Sequence, residues 1–364
     1  MRNRPDIAVI GAGCIGLATA EALAERGESV ALYESGRPGQ GQSAGQGRVF
    51  RHAADDPRVV SLAAESRELW RGLEERLGEE MISRDGVLAL GEAALGRLST
   101  LEKRGIHARR IGPDEISERH PLLAGFGGDG VFDEAGGAIR TLSFIRLLSQ
   151  RLADSFEFDE VIAVRPTGAE TVEVRVPGHR AEYSRVIVCA GRGTAQLARG
   201  AGLDVPVDLA CHIRSTFEVA GEAPDRVACL LDSAGEWGDE SVYAAPAPGC
   251  DRYSIGLAEV MEVREDGSVV DPAQFAAHEE RMIEYAKRAL PGLNPQPVEI
   301  LHCWATSLPW NEDAFAIWEH EGLLIVGGHN IWKMAPVIGA ALAEAAAGGE
   351  VREEMRPEAR LGEA

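Results

Sequence analysis

Three side chains that could bind an anion lie within five residues of one another near the start of this chain: Arg48, Arg51 and His52. The chain around them is strongly acidic, with 58 Asp and Glu residues against 37 Lys and Arg and a formal net charge of −21. A guanidinium group binds a carboxylate through two parallel hydrogen bonds, so two arginines here indicate a site for an anionic group. The alternative is that these charges are solvated on the surface.

The composition predicts a globular protein of ordinary hydrophobicity. The chain has 364 residues, of which 45% are hydrophobic and 26% charged, so it can form two domains with a sizeable core. Its acidity disfavours nucleic acid and anionic membrane surfaces as partners. The six cysteines show no C-x-x-C spacing. This disfavours a disulfide framework or a metal site and favours a reducing cytoplasm.

The segment DIAVIGAGCIGLATAEALAERGESVALYESG predicts a site for a dinucleotide. It reads as an apolar strand at Ile7–Ile10, a turn with Gly11, Gly13 and Gly16, a helix, and a second strand that ends at Glu34. The three glycines would permit a tight turn, a close approach to a pyrophosphate and close helix packing. The helix N-terminus favours the phosphates, and the carboxylate of Glu34 is placed to accept hydrogen bonds from a ribose diol.

Two other interpretations of this segment are weaker. A single G-x-G-x-x-G also occurs in ordinary turns, and the apolar run after two arginines can resemble a secretory signal peptide. The complete order of strand, glycines, helix, strand and terminal acid favours the dinucleotide site. Glu34 argues against NADP but does not separate NAD from FAD.

The remaining chain predicts further elements from its hydrophobic periodicity. Leu62, Leu69, Trp70, Leu73 and Leu77 recur at helical spacing. The other predictions are a strand at 86–90, one buried strand within 180–191, a hairpin at 241–260 turned by Pro248 and Gly249, and a final strand, loop and alanine-rich helix. The last segment, REEMRPEARLGEA, is expected to be frayed.

The chain resembles the amine-oxidising flavoenzymes typified by monomeric sarcosine oxidase, N-methyltryptophan oxidase and pipecolate oxidase, in the D-amino-acid-oxidase superfamily. The most specific matches are GAGCIG, RVFRHA with SRELW and GVLALG, RVIVCAG, the segment around His302, Cys303 and Trp304, and WKMAPVIG. The resemblance implies FAD and an α/β fold in which a Rossmann-like FAD-binding domain is interleaved with an α+β, mixed-sheet substrate domain. The implied boundaries are 1–82, 142–205 and 300–364 for the FAD-binding domain, and 83–141 and 206–299 for the substrate domain.

The resemblance also implies roles for individual residues. Arg51 matches the arginine that binds the substrate carboxylate, Lys333 the lysine that assists it, and Arg48 an arginine close to the flavin ring. Tyr243 matches a tyrosine of the substrate pocket, although it could equally be a core aromatic. Cys303 matches the cysteine that carries the flavin through its 8α-methyl group, although a single cysteine is more often structural. The implied contacts to the cofactor come from Gly11, Gly13, Gly16, Glu34, Arg48, Val161, Gly191, Cys303 and Lys333.

Several positions depart from the family pattern. Ser254 stands where the oxidases keep a lysine that promotes the reaction of reduced flavin with oxygen. Ala258 and Ala44 each replace a histidine. Arg252 lies two residues from Ser254 on the predicted strand, so its side chain faces the same side and could replace the lysine. These departures put the substrate and the electron acceptor in question.

The expected function is the FAD-dependent oxidation of the C–N bond of a small secondary, N-methyl or cyclic amino acid to an imine. Hydride would pass to the flavin, and molecular oxygen would be the electron acceptor. The alternatives are a flavin dehydrogenase or biosynthetic desaturase that uses another acceptor, and a non-catalytic FAD-binding subunit. Retention of Arg51 and Lys333 argues against the last. The expected location is the cytoplasm, and no metal, nucleic acid or membrane partner is expected.

Overall fold

A computed structural model describes residues 6–168, 171–238 and 241–363. Within these ranges the chain forms eight α-helices, namely α1 (Cys14–Glu25), α2 (Pro57–Leu77), α3 (Glu92–Lys103), α4 (Pro113–Arg119), α5 (Thr141–Arg151), α6 (Thr194–Gly200), α7 (Pro272–Ala289) and α8 (Ala335–Ala346). The strands of the same ranges are β1 (Ile7–Ile10), β2 (Val30–Tyr33), β3 (Arg48–Phe50), β4 (Val87–Leu90), β5 (Ala108–Ile111), β6 (Gly130–Asp133), β7 (Gly137–Ile139), β8 (Phe156–Glu157), β9 (Ala163–Gly168), β10 (Thr171–Val176), β11 (His179–Tyr183), β12 (Arg185–Val188), β13 (Asp208–Val219), β14 (Cys229–Asp232), β15 (Val242–Pro246), β16 (Arg252–Leu257), β17 (Met261–Glu262), β18 (Leu293–Ser307), β19 (Phe315–His320) and β20 (Leu323–Gly328).

The chain divides into two compact units. The first comprises Met1–Ala44, Leu142–Asp208 and Ala305–Ala364, and the second comprises Gly45–Thr141 and Leu209–Trp304. Residues 45–82, which the sequence analysis assigned to the FAD-binding domain, belong by their contacts to the second unit. The assignment of a cofactor-binding and a substrate role to these parts of the chain stays a prediction.

The first unit contains a sheet of six strands in the order β19-β20-β12-β1-β2-β8. The strands from β20 to β8 run parallel, whereas β19 pairs with β20 in the antiparallel sense. Every residue of β1 and β2 is buried, as expected for parallel strands that are covered on both faces. Helix α1 connects these two strands and packs against α8, where Gly339 allows close approach to Ala18. This arrangement confirms the predicted Rossmann-like α/β fold.

The single buried strand predicted within 180–191 is wrong, because the structure has two strands there. Strand β11 belongs to the antiparallel sheet β11-β10-β9, and β12 belongs to the six-stranded parallel sheet. In β11 exposed residues alternate with buried Ala181 and Tyr183, which is the pattern of a sheet with one buried face. In β12, by contrast, Val186, Ile187 and Val188 are all fully buried. The change from alternating to continuous burial marks the boundary between β11 and β12.

The second unit contains a mixed sheet in the order β17-β13-β16-β15-β14-β4-β6-β5, with β18 also paired to β13. Strands β4 and β14 are parallel, whereas β15 and β16 form the predicted antiparallel hairpin. Gly249 in its turn has a φ of +85°, which glycine adopts without strain. A separate pair, β3 and β7, aligns Arg48 with Ile139. The predicted helix after Arg51 is α2, which buries Leu62, Trp70 and Leu73.

The C-terminal segment is ordered, so the expectation that it is frayed is wrong. Val351, Met355 and Leu361 are 3%, 0% and 1% exposed. The indole N–H of Trp310 donates to the carbonyl oxygen of Leu361 at 3.2 Å, and the amide of Asn311 donates to that of Gly362 at 2.7 Å. A few apolar residues among many charges are sufficient to fix this segment.

The described part of the chain lacks two kinds of feature, a membrane-spanning helix and a cluster of metal ligands. In residues 6–168, 171–238 and 241–363 no helix has the length and apolar character required to cross a bilayer. The same ranges contain no group of three or more His, Cys, Asp or Glu side chains that could hold a metal ion. None of the six cysteines, all of which lie in the described ranges, forms a disulfide.

Candidate active site

At each glycine of the glycine-rich turn in the first unit, a Cβ atom would come close to a neighbouring atom. Gly11 has a φ of +97°, and a Cβ there would collide with the carbonyl of Cys189. A Cβ on Gly16 would overlap the carbonyl oxygen of Gly11. Gly13 immediately precedes α1, and a Cβ there would lie 3.1 Å from Oγ of Ser43. Glycine at these positions keeps Cβ atoms away from the start of α1, where helix geometry leaves backbone N–H groups without partners inside the helix.

Glu34 is held beside this turn by two backbone groups. Its Oε2 accepts a hydrogen bond from Ala12 N at 2.9 Å, and its Oε1 accepts one from Gly36 N at 2.8 Å. Each carboxylate oxygen can accept more than one hydrogen bond, so the side chain is oriented and still able to receive hydroxyl groups. This geometry suits a ribose diol at the end of β2.

Two polar residues that the sequence analysis missed complete the turn. Ser43 accepts a hydrogen bond from Cys14 N at 2.9 Å, and thus occupies the first turn of α1. Gln42 donates through Nε2 to Oγ1 of Thr306 at 3.1 Å. Gly191 has a φ of +55°, and a Cβ there would lie 2.6 Å from Oε1 of Gln42. These contacts join segments far apart in sequence, so local patterns gave no signal for them.

Lys333 and Val161 are the other predicted residues in the first unit. Lys333 is 4% exposed and lies in the 3₁₀ helix Ile331–Met334, which leads into α8. The neighbouring Trp332 is also buried, and its indole Nε1 has no hydrogen-bond partner among the described residues. Val161 is partly buried against the apolar cluster around β9 to β12. A contact of Val161 with the cofactor stays a prediction.

In the second unit the RVFRH segment is fixed by His52. The backbone N–H of His52 donates to Oδ2 of Asp133 at 3.0 Å, and its ring Nδ1 lies 2.8 Å from the same oxygen. Asp133 also accepts from Gly136 N at 3.1 Å. His52 therefore anchors the segment and has its own carboxylate, whereas the sequence analysis grouped it with the arginines as part of an anion site. Arg51, beside it, donates to the carbonyl oxygen of Ala53 at 2.7 Å and is partly buried.

Cys303 on β18 lies between two guanidinium groups. Nη2 of Arg214 is 2.8 Å from its Sγ, and Nη1 of Arg48 is 3.8 Å from it. Burial alone would raise the pKa of the thiol, but the two arginines hold the pKa of Cys303 below its ordinary value. Arg214 was not identified from the sequence. The one available signal was a cation within the otherwise mostly uncharged strand β13.

Tyr243 on β15 contributes a buried hydroxyl to the second unit. Its OH has no hydrogen-bond partner among the described residues, and its ring lies over Gly256 on β16. The ring of His212 is tilted against it, at a centroid distance of 5.9 Å. Burial raises the pKa of Tyr243, so the group is a neutral phenol that can donate a hydrogen bond to a ligand.

Ser254 on β16 is 3% exposed. Its Oγ lies 2.9 Å from Oγ1 of Thr216, which itself donates to a carboxylate oxygen of Glu299 at 3.3 Å. The side chain of Arg252 is 51% exposed and forms an ion pair with Glu218 at 3.5 Å. Arg252 thus has a surface partner, which weakens the expectation that it replaces the missing lysine.

The predicted site residues divide between the two units. The first unit contains Gly11, Gly13, Gly16, Glu34, Val161, Gly191 and Lys333, and the second contains Arg48, Arg51, Tyr243, Ser254 and Cys303. Residues 6–345 match the family model described as FAD dependent oxidoreductase. The chain belongs to the FAD-dependent oxidoreductase family. The predicted resemblance is thereby confirmed, and so are the enzyme class and FAD as the cofactor of this oxidoreductase.

Similar proteins span nearly the whole oxidoreductase. The glycine oxidase of Bacillus licheniformis is 27% identical and covers 97% of this chain and 96% of its own length. The peroxisomal sarcosine oxidase of Mus musculus is 24% identical, over 93% of this chain and 91% of its own.

Two solved structures share the fold. The amino acid oxidase NikD has a TM-score of 0.83 at 21% identity and covers 98% of this chain and 96% of its own. L-Proline dehydrogenase from P. horikoshii has a TM-score of 0.81 at 19% identity, with 98% of both chains covered.

The first unit fits the adenosine diphosphate part of FAD. The turn at Gly11 and Gly13 brings no Cβ to the start of α1, where the helix N-terminus favours a diphosphate and where Ser43 already accepts from Cys14 N. Glu34 is oriented to accept from the ribose hydroxyls. The orphaned indole N–H of Trp332 is a further buried donor in this unit.

Proposed function

We propose that this oxidoreductase oxidises the C–N bond of a small secondary, N-methyl or cyclic amino acid to an imine. The supporting observation is Lys333, a lysine only 4% exposed in a chain whose net charge is −21. A lysine this deeply buried lies inside the fold, so it is not the solvated surface charge that the sequence left as the alternative. The family resemblance assigns to Lys333 a role in binding the substrate carboxylate.

The proposed roles of the substrate residues follow from their chemistry. The guanidinium of Arg51 and the ammonium of Lys333 bind the carboxylate and so fix the position of the C–N bond. The neutral hydroxyl of Tyr243 donates a hydrogen bond within the pocket. FAD, when bound, supplies the hydride acceptor, while the protein supplies orientation and electrostatics.

The proposed cofactor residues are those that the family resemblance assigns to FAD. Gly11, Gly13, Gly16, Glu34, Val161 and Gly191 bind its adenosine diphosphate part, and Arg48 and Lys333 lie near the flavin. Cys303 carries the flavin through a thioether at the 8α-methyl carbon. Its support is the pair of arginines at its Sγ, which favours the thiolate form that can make this bond.

The proposed electron acceptor is molecular oxygen, with a dehydrogenase or biosynthetic desaturase as the second candidate. The observation that favours the second candidate is Ser254, a buried and uncharged residue where the oxidases have a lysine. Both types of activity appear in the names of similar proteins, glycine oxidase and L-proline dehydrogenase.

The test is anaerobic mixing of the purified holoenzyme with a panel of N-methyl and cyclic amino acids. We expect at least one of them to bleach the oxidised flavin absorbance rapidly, and the corresponding methyl ester to do so only at much higher concentration. The Arg51→Ala enzyme is the matched control. A flavin that none of these compounds reduces would contradict the proposal and favour a non-catalytic FAD-binding protein.

A further inference from the structure

Arg214 is a buried arginine that has no role in the proposed oxidation of the substrate. Its side chain is 1% exposed and lies on β13, in the register position opposite Gly256. It donates to the carbonyl oxygen of Gly47 at 3.2 Å and to Sγ of Cys303 at 2.8 Å. Burial lowers the pKa of Arg214, but a guanidinium group keeps its proton in proteins. A full positive charge therefore lies against the sulfur.

A second cation reaches the same atom. Nη1 of Arg48 lies 3.8 Å from Sγ of Cys303, so two guanidinium groups converge on one sulfur within the second unit. A neutral thiol is a weak hydrogen-bond acceptor, whereas a thiolate is a strong one and carries a charge opposite to that of the two arginines. The arrangement is therefore more favourable to the anion than to the neutral thiol.

We propose that Arg214 is the positioning residue that holds Cys303 as a thiolate, with Arg48 as the second cation. This inference rests on the proposed attachment of FAD to Cys303 and gives its chemical basis in this chain. Three other titratable groups interact with the cluster, and each is neutral. Burial raises the pKa of Cys211 to about 11, lowers the pKa of His212 to about 3, and raises the pKa of Tyr243. Cys303 is thus the thiol that the arginines contact, whereas Sγ of Cys211 lies 3.5 Å from the carbonyl oxygen of His212.

The thiolate is the form that can make the thioether. Bond formation replaces one C–H bond of the flavin 8α-methyl group by a C–S bond and releases the proton of that carbon. The two electrons of the process stay on the flavin, and the electron acceptor of the enzyme removes them. Oxygen fulfils this need if the enzyme is an oxidase, and another oxidant does so if it is a dehydrogenase.

The test compares Arg214→Met, Arg214→Gln and Arg214→Lys holoenzymes after a fixed expression time. The readout is the fraction of flavin that stays with the acid-precipitated protein. Removing an opposite charge in contact typically raises a pKa by one unit or more, so we expect roughly tenfold less covalent flavin in Arg214→Met and Arg214→Gln. Arg214→Lys should keep much of the wild-type fraction, because it keeps the charge.

Alkaline pH separates thiolate formation from a merely structural role. Incubating purified Arg214→Met or Arg214→Gln holoenzyme in air at a pH above the ordinary thiol pKa should restore covalent flavin, since the thiol then ionises without the arginine. The matched control is Arg67→Met, which removes a buried arginine of the same unit that binds the carbonyl oxygen of Ala135 instead. It should leave the covalent fraction unchanged.

Two results would overturn the inference. One is a wild-type covalent fraction in the folded, uncharged variants, and the other is a loss that neither Arg214→Lys nor alkaline pH restores. If acid releases the flavin from wild type, the proposed attachment has failed. The role of Arg214 is then tested separately, by measuring the pKa of the Cys303 thiol. The thiolate absorbance is titrated with pH in wild type and in Cys303→Ser, and the difference gives the pKa of Cys303. An ordinary or raised pKa in wild type would contradict the role of Arg214, and this measurement needs no variant at position 214.

Discussion

The hydroxyl of Ser254 lies 2.9 Å from the hydroxyl of Thr216 on the neighbouring strand β13. Oxygen reduction by flavin begins with an electron transfer that creates superoxide, so a fixed cation nearby lowers the barrier. One charge at about 4 Å and an effective dielectric of about 20 contributes on the order of 4 kcal/mol, or very roughly a thousandfold in rate. Ser254 and Thr216 have no charge to contribute. We therefore predict that oxygen, although the proposed acceptor, takes up the electrons slowly, so that turnover is faster with an artificial acceptor.

Stopped-flow reoxidation of wild type, Ser254→Lys and Ser254→Met tests this prediction. Ser254→Lys should accelerate the reaction, whereas Ser254→Met adds similar length without charge and should not. Arg252→Ala should have little effect, because Arg252 is half-exposed and paired with Glu218. Fast wild-type reoxidation that Arg252→Ala slows would instead assign the cation to Arg252. Fast reoxidation that no variant alters would contradict the electrostatic argument.

The carboxylate contacts of Arg51 and Lys333 can be measured separately. Losing a charge-assisted hydrogen bond costs about 1.5 to 3 kcal/mol, so Arg51→Ala and Lys333→Ala should each raise the substrate concentration for half-maximal flavin reduction roughly ten- to a hundredfold. The measurement is the anaerobic reduction rate as a function of substrate concentration. The loss should be smaller for the methyl ester of the same substrate. Equal losses for acid and ester would mean that these side chains do not bind the carboxylate.

Cys303→Ala should convert a yellow acid-precipitated pellet into a colourless one. The reason is that Cys303 lies between Arg214 and Arg48 and is the proposed thioether residue. The matched control is Cys211→Ala, because Cys211 is also buried on the adjacent strand and the pKa of its thiol is raised to about 11. A yellow pellet from Cys303→Ala, or a flavin peptide without residue 303 from wild type, would contradict the assignment.

Asp133→Ala should lower the free energy of unfolding by about 1 to 3 kcal/mol, because it leaves buried donors of His52 and Gly136 without their acceptor. Denaturant unfolding at saturating FAD measures this, since bound cofactor otherwise shifts apparent stability. Asp129→Ala is the control, because Asp129 belongs to a partly exposed ion pair with Arg110 and should cost about 1 kcal/mol or less. Equal effects of the two substitutions would argue against His52 as an anchor.

The sequence predicted the parts of the site that depend on local backbone geometry. Gly16 was identifiable because a Cβ there would overlap Gly11 of the same motif, and Gly11 because the turn after β1 gives it a φ of +97°. Arg214 was not, because its contact with Cys303 spans 89 positions and depends on the pairing of β13 with β18. The C-terminal segment was misjudged because its few buried residues, such as Met355, are surrounded by charges. A local sequence pattern indicates which secondary structure a segment can form, whereas contacts with residues distant in sequence determine which structure it adopts.

The order of strands in the two sheets has a consequence for synthesis on the ribosome. Strand β12 lies between β1 and β20, so its second edge is unprotected until residues 323–328 have been made. The sheet of the second unit likewise joins β4 to β14, which is more than a hundred residues later in the chain. Neither sheet can therefore close before these later strands have been made. Unpaired apolar edges persist until then, which makes the emerging polypeptide a natural client for chaperones.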